Sequence, residues 1–130
     1  MKKFLRCGHC GNLVGMIHDA GVPISCCGEN MKELIPNTTD AANEKHVPVV
    51  EINGDILTAE VGSVEHPMLD EHYIQWIFVE TEDGGQKVNL NPGEKPTATF
   101  NLNGKKPVAV YEYCNLHGLW KTDCQCNHKI

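Results

Sequence analysis

The chain has 130 residues, with 11 basic against 17 acidic side chains for a net charge of −6, and few aromatic residues. That balance excludes a nucleic-acid groove and a basic membrane-binding face, both of which need clustered cations. No apolar run approaches the roughly 18 residues of a membrane span, and the first residues lack the apolar core of a secretory signal, so a cytoplasmic protein is expected.

Seven Cys and seven His are many for such a chain. A reducing compartment disfavours structural disulfides, and an odd number of thiols cannot pair fully, so metal ligation is the expected use. Cys7, Cys10, Cys26 and Cys27 fall early, whereas His46, His66, His72, Cys114 and His117 are spread over the rest. Two separate sites follow.

In the first segment, Cys7-Gly8-His9-Cys10-Gly11 is a Cys-x-x-Cys knuckle, residues 12–18 can form a strand, residues 19–23 a turn, and Cys26-Cys27-Gly28 brings two further thiols. Four thiolates make a closed tetrahedral site for zinc or iron. Residues 1–36 are too few to bury much of a core, so a metal would supply much of their folding free energy. Adjacent cysteines on an extended chain diverge and must be bent back to share an ion, which a distorted FeS4 centre accepts; spacing alone leaves zinc open. His9 and His18 read as surface residues. A domain boundary is expected near Pro36-Asn37-Thr38-Thr39, giving domains 1–36 and 37–130.

The second segment is a succession of strand-like runs, 47–52, 56–61, 72–79, 86–90, 97–102 and 108–113, divided by turn signals that include Asn53-Gly54 and Asn103-Gly104. About seven strands at this spacing imply a mainly β protein whose larger part is an immunoglobulin-like antiparallel β-sandwich. One of Trp76 and Phe78 is expected to face the core. His46, His66 and His72 fall in loops or at strand ends, and Cys114 and His117 stand three residues apart before Gly118, which lets the backbone bend away. Four imidazoles and one thiolate suit one iron, with one octahedral position left for chemistry. Glu44 and Lys45 read as ordinary charges ahead of a strand.

Taken together, Cys7-x-x-Cys10 with Cys26-Cys27, residues 40–49, His66-Pro67-Met68 with residues 72–76, and residues 113–120 resemble desulfoferrodoxin, the two-iron class of superoxide reductase, over nearly the whole chain. The resemblance implies a desulforedoxin-like FeS4 centre on Cys7, Cys10, Cys26 and Cys27. It implies a second non-haem iron with His46, His66, His72 and His117 as equatorial ligands and Cys114 as axial ligand. Glu44 matches the carboxylate that closes the ferric site, and Lys45 the cation beside the open position. The activity implied is one-electron reduction of superoxide to hydrogen peroxide, with a rubredoxin-type electron donor and a homodimeric assembly. Superoxide dismutation, or a non-haem iron electron carrier, is the alternative; a zinc-stabilised binding module would account for the four early cysteines alone. Residues 122–130 depart from the family: Cys124, Cys126 and His128 match none of its ligands, and the segment reads as a mobile tail with reactive thiols, an adventitious metal site or a redox-active pair being the alternative.

Overall fold

The computed structural model describes residues 3–39, 41, 43–64 and 66–124, without the side chain of Glu44. The chain divides into two compact units, Met1–Ile35 and Pro36–Ile130.

In the first unit β1 (Phe4–Arg6) lies between β2 (Leu13–Gly15) and β5 (Lys32–Glu33), antiparallel to both, and β3 (Ser25–Cys26) pairs with β4 (Glu29–Asn30). Phe4, Leu5 and Cys7 are buried, but Ile17 and Val22 are exposed, so apolar burial here is slight. Cys27 and Gly28 form the two-residue turn of the β3–β4 hairpin with φ of 54° and 80°. Positive φ at both central residues is the requirement of a type I′ turn. It also resolves the problem of adjacent cysteines, because the left-handed residue redirects the Cys27 side chain relative to Cys26.

The second unit opens with one helical turn, α1 (Asn43–His46), followed by β6 (Pro48–Asn53), β7 (Ile56–Val61), β8 (Ile74–Thr81), β9 (Gly84–Asn89), β10 (Thr97–Asn101), β11 (Pro107–Cys114) and β12 (Gly118–Asp123). Two antiparallel sheets, ordered β10-β7-β6 and β12-β11-β8-β9, form the sandwich. Alternate residues of each strand point inward: Leu57, Ala59 and Val61 of β7 and Ala98 and Phe100 of β10 pack with Ile77 and Val79 of β8 and Val110 of β11. The β6–β7 hairpin turns at Gly54, whose φ of 64° is the positive value that Asn53-Gly54 signals. No helix among the described residues is long and apolar enough to cross a membrane.

Three local expectations change. Trp76 and Phe78 are two residues apart and therefore share a face; as expected one of them, Trp76, is buried, but it stacks on Tyr113 at 5.9 Å outside the main cluster between the sheets, while half-buried Phe78 meets Tyr111 at 6.2 Å. The run at 72–79 becomes a strand only from Ile74. The seventh strand is β12, so residues 122 and 123 are paired rather than free, and Cys124 is fully buried in the core with its N–H donating to the Val108 carbonyl at 2.9 Å. Cys124 is thus not an exposed tail thiol; Cys126 and His128 lie outside the described residues.

Gly85 sits where β9 crosses Phe78. A Cβ there would overlap the Phe78 ring edge and lie 2.8 Å from the Val79 carbonyl oxygen, which cannot move without breaking the sheet. Gly85→Ala should therefore destabilise the protein by about 1–3 kcal/mol, seen as a lower urea midpoint at unchanged slope. A midpoint equal to that of the parent chain would show that the close approach is not real.

Candidate metal centre

The turn after β11 brings the first two donors together. Cys114 and Gly118 are the last and first paired residues of the β11–β12 hairpin, so Asn115, Leu116 and His117 form a three-residue loop, and Gly118 takes the φ of 84° that such a loop requires. Cys114 Sγ lies 3.8 Å from His117 Nδ1 and 3.5 Å from His66 Nε2. His46, the last residue of α1, places Nε2 3.1 Å from both His117 Nδ1 and His66 Nε2. His72 completes the group: the ligating atoms of His46, His66, His72, Cys114 and His117 all lie within 4.8 Å of one another. Around the group the imidazoles alternate edge to face, His46 to His66 at 76°, His66 to His72 at 81°, His72 to His117 at 74° and His117 to His46 at 82°.

This pinwheel fits a metal ion better than it fits hydrogen bonding. His46 Nε2 faces two ring nitrogens but has at most one proton to give, and His72 Nε2 is buried without a hydrogen-bond partner among the described residues. Two nitrogens bound at right angles, each about 2.1 Å from one ion, stand about 3.0 Å apart, close to the observed spacing. His66 Nδ1–H donates to the Pro67 carbonyl at 2.7 Å, which fixes the tautomer and leaves Nε2 as the lone-pair donor. Burial lowers His66 to about 4, despite the Pro67 bond, and burial followed by the neighbouring His117 lowers His72, with Lys45 acting the same way. Both rings stay neutral at physiological pH, the form that ligates. Burial raises the Cys114 thiol, opposed by backbone N–H groups of Leu116 and His117; a cation would reverse that penalty.

Residues that carry no ligand hold these donors in place. Asn115 accepts from the Tyr73 N–H at 3.0 Å and donates to the Glu71 carbonyl at 3.0 Å, which ties the Cys114 hairpin to the His72 segment. Trp120 is fully buried, stacks on His46 at 4.9 Å and 21°, and donates Nε1–H to the His117 carbonyl at 3.0 Å. Glu112, which holds none of the donors, is fully buried two residues before Cys114, both its oxygens lack a partner among the described residues, and burial pushes its carboxyl well above the usual range. Sequence reasoning gave none of the three a role. Asn115 and Trp120 lie inside the recognised motif, and Glu112 occupies an inward position of β11, so strand alternation was the available signal.

Lys45 precedes His46 and lines, with His66, Pro67, Met68 and Gly93, a solvent-facing pocket beside the group. Glu44 is in the same helical turn, but the role expected of it falls on a side chain outside the described residues.

In the first unit the sulfurs of Cys7, Cys10, Cys26 and Cys27 likewise lie within 4.8 Å of one another. Backbone N–H groups of Cys10 and His9 approach Cys7 Sγ at 3.5 and 3.4 Å and hold this thiol at about 6, while crowding by Cys10, Cys7 and Cys26 pushes Cys27 up to about 12. One thiolate suppresses the next, and only a cation lets all four ionise. Asn12 Nδ2 approaches Cys26 Sγ at 3.6 Å. His9 turns outward to Glu29 at 2.8 Å, away from ligation.

A desulfoferrodoxin family model matches residues 38–123. The chain is 47% identical over 118 residues to the desulfoferrodoxin of Syntrophotalea carbinolica and 46% identical over 118 residues to that of Nitratidesulfovibrio vulgaris, in each case covering 91% of this chain and 93% of the relative. Its structure resembles the crystal structure of the superoxide reductase from Treponema pallidum with a TM-score of 0.78 at 39% identity, over 95% of this chain and 99% of that one. Fold and donor sets define a mainly β metalloprotein with one four-thiol and one four-imidazole, one-thiol group. The chain belongs to the desulfoferrodoxin family.

Because Trp120 touches two donors at once, Trp120→Phe should keep a ring beside His46 yet free the His117 carbonyl. The expected result is metal affinity at the five-donor group reduced by about 10-fold, with the four-thiol group unaffected, measured by competition with a chelator. Equal affinity at the five-donor group would leave Trp120 as packing alone.

Proposed function

We propose that the protein is a superoxide reductase: at the group formed by His46, His66, His72, His117 and Cys114, superoxide takes up one electron and two protons to become hydrogen peroxide. The observation that carries this reading is the convergence of those five donors in a chain that shares 39% of its residues with the Treponema pallidum superoxide reductase. Iron bound there supplies the electron, passing from ferrous to ferric. The chain provides five donors, one fewer than an octahedron, so a small anion can be a ligand as well as a neighbour. Cys114 would hold that iron through a thiolate, whose negative charge favours giving up an electron, and His46, His66, His72 and His117 would hold it without adding negative charge that repels an anion. Lys45, on the solvent side of His66, attracts superoxide locally against the net charge of −6 and orients water for proton delivery.

Cys7, Cys10, Cys26 and Cys27 fit a second non-haem iron, of the FeS4 kind. Each turnover consumes an electron, so a rubredoxin-type donor is the partner we assign. A homodimer in the cytoplasm completes the reading.

Stoichiometry tests the activity. With iron-loaded protein and an external reductant, one equivalent of reductant should be consumed for each peroxide formed, without oxygen release. Oxygen release with no reductant consumed would mean dismutation. Lys45→Ala should slow superoxide consumption by roughly 2- to 10-fold at low ionic strength and less at high; an unchanged rate at every salt concentration removes Lys45 from the mechanism.

A further inference from the structure

Lys45 is not the only cation at the pocket beside His66. Lys95 lines the same pocket from a different element, the loop between β9 and β10. We infer that Lys95 is a second steering cation, which draws a small monovalent anion toward the five-donor group from the β9–β10 loop, in addition to Lys45. The inference rests on the reading of that group as a superoxide-reducing centre.

Three observations support it. First, the loop is built rather than slack. Gly93 N–H donates to the Met68 carbonyl at 2.8 Å, so the loop is tied to the segment that begins with His66; Thr97 N–H donates to the Lys95 carbonyl at 2.8 Å, and Val61 N–H to the carbonyl of the buried Pro96 at 2.9 Å. Pro96 also restricts the backbone of the residue before it. The lysine therefore swings from a fixed base. Second, Glu94 lines the same pocket, but its Oε1 accepts from the Asn91 backbone N–H at 2.7 Å, closing its own turn, and it pairs with neither lysine. Third, Lys3, Lys105 and Lys121 have carboxylate partners, whereas among the described residues Lys45 and Lys95, like Lys32, Lys87 and Lys106, have none within ion-pair distance; of these, Lys45 and Lys95 are the two that line the pocket beside His66. In an acidic chain, two cations against the single carboxylate of Glu94 leave the described lining of this pocket net positive, which the net charge of the chain does not provide.

The size of the effect follows from Coulomb's law. One unit charge acting through water at about a Debye length changes the encounter of a monovalent anion roughly 2-fold, and added salt removes the difference. In the iron-loaded protein, Lys95→Ala should lower the second-order rate of superoxide disappearance about 2-fold at low ionic strength, and Lys95→Glu about 4-fold. Lys95→Arg should keep the parent rate, and all four proteins should converge at high salt. Azide affinity of the oxidised protein, followed by absorption, should fall in the same order. Equal rates and equal azide affinities for Lys95→Glu and the parent chain at low salt would overturn the inference. So would a loss that Arg does not restore or that salt does not erase, since that belongs to the loop and not to its charge. Should the parent chain fail to reduce superoxide, the proposed function fails, and the azide series still decides whether Lys95 attracts anions to this group.

Discussion

Mutual repulsion among five donor atoms within 4.8 Å of one another is the constraint on which the second unit depends. The lone pairs of ring nitrogens and sulfur repel one another at this range, and burial penalises a thiolate among them, so no such group collapses spontaneously. The scaffold has to impose it, and a cation has to repay the desolvation. Rigid elements do the imposing: one helical turn carries His46, the end of β11 and its hairpin carry Cys114 and His117, and hydrogen bonds through Pro67 and Asn115 fix His66 and the His72 segment.

The sheet itself is adapted to that end. Between Tyr113 and Cys114 the β11–β8 register slips, so that Tyr113 faces Trp76 but Cys114 faces Ile74, with Gln75 as the extra residue. A bulge of this kind reverses which side chains point inward. Ile74 joins Ile77 and Val79 in the core beside Cys114, where unbroken alternation would have placed it with Trp76. The apolar wall behind the sulfur is therefore continuous, and the same wall strands the Glu112 carboxyl without a partner. Burial costs both groups their ionised form when no cation is present, but only Cys114 can recover that cost by ligation.

Much of this was legible because ligand identity is written locally. The spacing from Cys114 to His117 with Gly118 behind it, and Cys7-x-x-Cys10 with a second pair, state which atoms can share an ion, and the strand runs state that their neighbours form a sandwich. Contributions that depend on register were not legible. The common face of Trp76 and Phe78 follows from period two alone, but the turn of Ile74 to the other face depends on the Gln75 bulge, which no residue type announces. Strand β12 was hidden by its overlap with the ligand motif, and with it the burial of Cys124. The type I′ turn at Cys27 was obscured because Asn or Gly is the usual residue at its position, and a cysteine there tolerates a left-handed φ for the sake of its sulfur.

The two donor groups also stand in opposite relations to folding. Among the described residues of the first unit Phe4, Leu5 and Cys7 are the buried apolar ones, so an ion on its four thiols would substitute for a core and couple binding to folding there. The second unit has a continuous core of its own from β7, β8, β10 and β11. Its donors are therefore placed by packing that does not need the ion, which is the condition for a centre that changes oxidation state and exchanges a ligand without unravelling its surroundings. A closed site that supports a fold and an open site supported by a fold can coexist in one short chain because each draws its rigidity from a different source.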